Sequence, residues 1–333
     1  RRRTSRGKER IKNLLRRKMT KRTLGSIDVA PLAFGGNVFG WTIDEKRSHE
    51  LLDAFVEAGF NLIDTSDSYS RWVPGHQGGE SETIIGNWIK RRGNRDKVVI
   101  ATKVGSDMGL NRPDLSAKWI LEEVENSLRR LNTDYIDLYQ SHFDDLTTPV
   151  GETMEAFANL VKAGKVRVIG ASNLDPERLL SSINYSKENG LPVYDTLQPE
   201  YNLYSREKFE TEYLSLCEQE GLMVLPYFAL ASGFLSGKYR SHQDAQLSIR
   251  GSGVVKKYLN ERGERILKAL DQLASENNTS HSAIALAWLI SKPYIAAPIA
   301  SATTTQQLGQ LMAAAHINLD ERALTLLDKA SSY

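Results

Sequence analysis

Residues 97–142, KVVIATKVGSDMGLNRPDLSAKWILEEVENSLRRLNTDYIDLYQSH, contain the pattern from which the rest of the chain is read. The end runs KVVIATKVG and YIDLYQSH are mostly apolar, as strands covered on both faces are. Between them, SAKWILEEVENSLRRL spaces its apolar residues by three and four and offers Ser116 as an N-cap, which predicts an amphipathic helix. Strands alternating with helices in this way lie parallel.

The same alternation extends in both directions. VAPLAFGG and FNLIDTS precede this unit, and VRVIGASN, DTLQPEYN, LMVLPYFAL and YIAAPIASA follow it, making eight strand-like runs. Helical segments lie between them, among them ESETIIGNWIKRR, VGETMEAFANLVKAGK with Gly151 near its start, and DPERLLSSINYSKENG with Asp175 as an N-cap. Eight such units in roughly 300 residues predict an α/β fold of the closed (β/α)8 TIM-barrel kind. An open doubly wound sheet has fewer strands and a Gly-rich first turn. RTLGSIDVAPL is expected to form a β-hairpin capping the barrel bottom. SGKYRSHQDAQLSIRGSGVV, after the seventh run, is long and polar and is expected to act as a lid or binding loop over the active face. No linker rich in Pro, Gly or Ser divides the chain, so residues 19–333 are read as one domain.

The 333 residues are 41% hydrophobic and 25% charged, the composition of an ordinary soluble protein with a sizeable core. No apolar run reaches the roughly 18 to 20 residues that span a bilayer, so a cytoplasmic protein without a membrane segment is expected. Residues 1–18 carry ten basic groups against Glu9, and Ile11, Leu14 and Leu15 form a narrow apolar stripe. This basic tail is read as upstream sequence or plain disorder in preference to an Arg-rich targeting segment. Beyond it the balance is −7, which leaves no nucleic-acid footprint. Cys217 is the only cysteine and is read as core filling, and the six histidines lack paired ligand spacing, so no metal is expected.

In a barrel the chemistry gathers where strands end at the C-terminal mouth. Run two closes on Asp64-Thr65-Ser66-Asp67-Ser68-Tyr69, run three carries Lys103, and run four closes with His142. A lysine inside an apolar strand is costly to bury without a carboxylate, and Asp64 on the neighbouring strand can pair with it. A tyrosine beside that lysine would have its phenolate favoured, which predicts a pKa lowered from about 10 toward the working range of a general acid. His142 could donate a hydrogen bond to the same carbonyl oxygen. Taken singly, an Asp at a strand end caps a loop, a Tyr packs and a His is structural; on three successive strands together they outweigh those readings.

The order Asp, Tyr, Lys, His, with the tyrosine five residues after the aspartate, resembles the aldo-keto reductase family. The resemblance runs from about Lys21 to the end of the chain through GFNLIDTSDSY, IATKVG, YQSH, GASN, LQPEYN and PYFALASGFLSGK. It implies transfer of hydride from a nicotinamide cofactor to a carbonyl carbon, with Tyr69 protonating the oxygen, Lys103 and Asp64 depressing its pKa, and His142 orienting the carbonyl. By the same resemblance Ser172, Asn173 and Gln198 hold the carboxamide and Tyr227 stacks on the nicotinamide. Leu230, Ser232, Gly233, Leu235, Gly237 and Lys238 form the pyrophosphate loop, with Gly36 and Phe228 as further cofactor contacts. Members that favour NADPH usually carry a Lys or Arg after strand eight, whereas this chain reads IASATTTQQL there. Ser301, Thr303, Gln307 and Gln310 remain as hydrogen-bonding groups, so NADPH is expected with NADH as a possible substitute. GGNVFG has P-loop spacing, but Trp41 stands where the lysine is required, and nucleotide hydrolysis is not indicated.

Phe39, Trp41, Trp72 and Phe143 are expected to line an apolar substrate pocket for a small-molecule carbonyl. The chain ends at Tyr333 soon after its last helix, and an open, tolerant pocket is expected. Two other classes of function fit parts of the pattern: a Schiff-base lyase using Lys103, and a nicotinamide-binding sensor subunit resembling the channel-associated β subunits.

Overall fold

The computed structural model describes residues 19–333, and the basic stretch 1–18 lies outside them. The chain enters through an antiparallel hairpin, β1 (Arg22–Leu24) and β2 (Ile27–Val29), in which Thr23 faces Asp28. Eight parallel strands follow: β3 (Ala33–Gly35), β4 (Leu62–Asp64), β5 (Val99–Val104), β6 (Ile136–Ser141), β7 (Val166–Ser172), β8 (Thr196–Gln198), β9 (Met223–Val224) and β10 (Ile299–Ala300). They run in chain order except that β10 returns to pair with β3. A parallel bridge between Val224 and Ile295 joins the two ends of the sheet, supported by Ala296 N–H to Val224 O and Ile299 N–H to Pro226 O, each 2.9 Å. The ring closes into the (β/α)8 barrel that the eight runs predicted, and each run supplies one strand.

The hairpin sits where it was expected. Ile27 and Val29 are buried while Asp28 between them is exposed, so one face of β2 is apolar. With Leu24, that face packs on Leu62, Val99, Leu138 and Val168 at the strands' N-terminal ends, sealing the barrel bottom. The outer helices bury their apolar stripes against the sheet, and their starts are set by capping. Asp44 accepts from Arg47 N–H ahead of helix Glu45–Glu57, Ser116 from Trp119 N–H ahead of Ala117–Arg130, and Asp175 from Arg178 N–H ahead of Pro176–Glu188. Gly151 opens helix Val150–Lys162, and a Cβ there would lie 2.7 Å from the Tyr185 ring, so close helix packing accounts for it. Cys217 is buried in helix Leu214–Glu220, its thiol pushed up to about 12 by burial.

The segment after β9 departs from the loop that was expected. It contains a 3-10 turn, His242–Leu247, and a helix, Gly251–Tyr258, that pack together. A Cβ on Gly251 would fall 1.9 Å from the Ala245 carbonyl oxygen. The segment still reaches the mouth, because the Arg250 guanidinium lies 4.6 Å from the centre of the Trp41 ring. Among the described residues no helix is long and apolar enough to cross a membrane.

Candidate active site

In the parallel register Asp64 faces Ala101, two residues before Lys103 on β5. Residues two apart in a strand share a face, so Lys103 lies one step further toward the mouth on the same side. Its Nζ donates to Asp64 Oδ2 at 2.9 Å, to Tyr69 Oη at 2.9 Å and to the Thr65 carbonyl at 2.8 Å. The Tyr69 hydroxyl in turn donates to Asp64 Oδ2 at 3.3 Å. Lys103 is wholly buried and Asp64 nearly so, and all three ammonium hydrogens have acceptors, as a buried cation requires. His142 follows directly on β6, its ring centre 6.1 Å from that of Tyr69.

The electrostatics correct one expectation. Tyr69 is held well above the ordinary tyrosine value rather than below it: burial disfavours the phenolate, and the Asp64 carboxylate that accepts its proton adds to the effect. Burial draws Lys103 down while Asp64 holds it up. His142 lies well below its ordinary value through burial and the nearby Lys103 charge, and so stays neutral.

The four residues assigned to the nicotinamide end form one hydrogen-bonded group. Ser172 Oγ donates to the Gln198 carbonyl at 2.8 Å, Asn173 Nδ2 donates to the His142 carbonyl at 2.9 Å, and the Tyr227 hydroxyl donates to Asn173 Oδ1 at 2.9 Å. Gln198 Nε2 donates to both Asp64 Oδ1 and Gln140 Oε1, leaving its own oxygen for an outside partner. Asn173 holds its place with a left-handed φ of +53°, which asparagine tolerates better than most residues.

The loop after β9 is conformationally unusual. Phe228, Ala231 and Ser232 have φ of +50°, +49° and +56°, and Gly233 and Gly237 are also positive. Such strain clusters at ligand clamps. Leu230 lies within this stretch and is half-buried, and Leu235 is fully buried in the core. Lys238 Nζ lies 3.7 Å from where a Gly233 Cβ would stand and has no carboxylate within ion-pair distance among the described residues. Polar strand ends, a strained loop and a cation with no carboxylate partner among the described residues together suit a phosphate-bearing nicotinamide nucleotide.

At the far end, Ser301 Oγ is bound 2.6 Å from Asn37 Oδ1 and 2.8 Å from the Gly35 carbonyl. Gln307 Oε1 accepts from the Thr303 amide and hydroxyl, and Gln310 is exposed. A cation from elsewhere in the chain lies beside this segment, its Nη1 paired with Glu50 at 2.7 Å. Arg47 reaches over from helix Glu45–Glu57, donating Nε to the Thr303 carbonyl at 3.3 Å and Nη2 to Thr305 Oγ1 at 3.2 Å. Sequence reasoning missed it, although ring closure was the available signal: β10 pairs with β3, so the helices that follow them are neighbours. Gly36 is accounted for by packing, since a Cβ there would lie 3.0 Å from the Asp64 carbonyl oxygen.

Of the residues assigned to the substrate pocket, Trp41, Trp72 and Phe143 border the mouth. Trp72 is 6.1 Å from the Tyr69 ring and 5.4 Å from Trp41, and Phe143 stacks on His142. Phe39 does not belong with them. The 3-10 turn Gly36–Val38 sends it inward, where it is fully buried 5.3 Å from Phe34, a core residue. A cavity of about 550 Å³ lined by Gly40, Gly75–Glu80, Thr83 and Ile84 flanks the mouth without touching Tyr69, Lys103 or His142. No group of three or more His, Cys, Asp or Glu among the described residues has the geometry to hold a metal ion.

Comparison with known proteins gives concordant results. The Aldo/keto reductase family profile matches residues 31–332. The chain is 31% identical over 328 residues to Protein tas of Escherichia coli (strain K12), covering 91% of this chain and 94% of that protein. It is 35% identical over 276 residues to Aldo-keto reductase YhdN of Bacillus subtilis (strain 168), covering 80% and 78%. It is also 33% identical over 295 residues to a protein of Oryza sativa subsp. japonica named a probable voltage-gated potassium channel subunit beta, covering 86% and 87%.

Proposed function

The chain belongs to the aldo/keto reductase family, and from that premise we propose that it reduces an aldehyde or ketone to the alcohol with NADPH, Tyr69 giving the proton. The observation that carries this reading is the wholly buried Lys103 ammonium, 2.9 Å from both Asp64 and the Tyr69 hydroxyl. The cofactor, when bound, supplies the hydride. Ser172, Asn173, Gln198 and Tyr227 would hold its nicotinamide end, the loop through Lys238 its pyrophosphate, and Arg47 with Thr303 and Thr305 the phosphate that distinguishes NADPH from NADH.

The substrate oxygen takes the place at Tyr69 Oη that Asp64 occupies in the resting site. Tyr69 turns its proton to that oxygen, and the phenolate left behind faces Lys103 Nζ, which Asp64 keeps charged and in position. His142, neutral, offers the same oxygen a second hydrogen bond. Trp41, Trp72 and Phe143 form an apolar wall beside it, suited to an aryl or alkyl carbonyl. A Schiff-base mechanism would need a lone pair on Lys103, whereas all three of its hydrogens are donated and Asp64 favours the ammonium.

The test is steady-state reduction of 4-nitrobenzaldehyde with NADPH and with NADH over a range of pH. Turnover is expected with both, at higher kcat/KM with NADPH. Tyr69 must be protonated to act, and its raised pKa keeps it so; His142 must be neutral, and its lowered pKa keeps it so. The rate is therefore expected to be level from about pH 6 to about pH 9. A fall centred near pH 7 to 8, on the order of the working range, would contradict the assignment of the acid. Binding of cofactor without oxidation of either form would favour a sensor role, the reading that similarity to a channel β subunit supports.

A further inference from the structure

A neutral imidazole carries one hydrogen, and which nitrogen bears it decides whether His142 can donate to the carbonyl oxygen. His142 Nδ1 lies 3.1 Å from Ser66 Oγ, while Nε2 has no hydrogen bond from any described residue. The tautomer therefore depends on what Ser66 does with its own hydrogen.

Ser66 Oγ has one hydrogen and two lone pairs. The Ser68 backbone N–H donates to it at 3.2 Å and occupies one lone pair. One hydrogen and one lone pair remain for Asp67 Oδ1 at 3.0 Å, Ser68 Oγ at 3.0 Å and His142 Nδ1 at 3.1 Å. Ser68 retains some exposure and can turn to water, whereas Asp67 is wholly buried with no partner on Oδ2 among the described residues. Two arrangements satisfy the line from Asp67 through Ser66 to His142. An ionised Asp67 can only accept, so Ser66 would donate to it and His142 would need its hydrogen on Nδ1. A neutral Asp67 donates its own O–H to Ser66, whose hydrogen then goes to Nδ1 and leaves the imidazole hydrogen on Nε2.

The surroundings favour the neutral acid. Glu82 and Glu123 from the adjoining helices and Tyr139 from β6 lie around Asp67, all buried, and Arg130 is engaged by the two glutamates. Lys103 is fully committed to Asp64, Tyr69 and Thr65. Burial and the two carboxylates push Asp67 well above the usual carboxylate range. We propose that Ser66 and Asp67 are positioning residues that fix His142 as the Nε2–H tautomer, aiming its only N–H at the mouth. The catalytic part of this assignment rests on the reductase reading; the tautomer itself does not.

The test is long-range 1H–15N correlation NMR on the full chain with 15N-labelled histidine, the His142 signal being assigned by its loss in His142→Asn. The expected pattern is a bare Nδ1 and a protonated Nε2. Asp67→Asn can still donate an amide N–H to Ser66 and is expected to keep both this pattern and kcat within about threefold. Ser66→Ala is expected to give a mixture of tautomers and to lower kcat about tenfold with KM little changed. A hydrogen on Nδ1 in the unmodified protein overturns the proposal, as does a Ser66→Ala protein with unchanged tautomer and kcat. An Nε2–H tautomer in a protein that reduces no carbonyl would leave the assignment standing and count against the reductase reading alone.

Discussion

Tyr69→Phe is expected to lower the rate of carbonyl reduction by about 10³-fold or more, while the dissociation constant for NADPH stays within about twofold. The substitution removes one oxygen and leaves the ring in place against Trp72 and His142. Lys103 loses one of its three acceptors but keeps Asp64 and Thr65, so the buried ion pair survives and the fold with it. None of the residues proposed to hold the cofactor is bonded to Tyr69, which is why binding should be spared. Single-turnover rates together with a fluorescence titration of NADPH check both halves. A phenylalanine variant with wild-type kcat would exclude Tyr69 as the proton donor.

Lys103→Met acts on stability as well as rate. Asp64 is 2% exposed and would be left as a buried charge without its cation, a loss of about 3 to 5 kcal/mol when one partner of a buried pair is removed. The hydrogen bonds from Gln198 and Tyr69 to Asp64 persist and should place the result toward the low end of that range. Reduction is expected to be lost too, since the phenolate of Tyr69 would have no neighbouring charge. The double variant Asp64→Asn/Lys103→Met has no uncompensated charge and is expected to regain most of the stability but none of the activity. Denaturant midpoints for the two variants decide the matter: a single variant as stable as the parent would mean that the pair is not held as an ion pair.

Much of the fold was legible because a buried parallel strand has few ways of being written. VVIATKV could hardly be anything else, and Lys103 inside it signalled a pairing that the structure supplies. The five-residue spacing from Asp64 to Tyr69 spans one strand end and one turn, a distance that local sequence controls. What escaped depended on contacts between distant segments. Arg47 and Thr303 meet only because the first and last barrel strands are neighbours. Phe39 looked like a mouth aromatic because it follows a strand, but a single 3-10 turn sends it into the core. The sign of the Tyr69 shift was misjudged because Lys103 was weighed without the burial and the Asp64 contact that outweigh it. The bond from Ser66 to His142 joins two strands' ends and has no counterpart in any motif.

Hydride transfer by this barrel from a nicotinamide to a carbonyl carbon is read out with NADPH deuterated at the transferable C4 position and 4-nitrobenzaldehyde, by mass spectrometry of the alcohol formed. Deuterium is expected on the carbinol carbon in step with cofactor oxidation. Alcohol without deuterium, or bound cofactor that is never oxidised by any carbonyl offered, would contradict it.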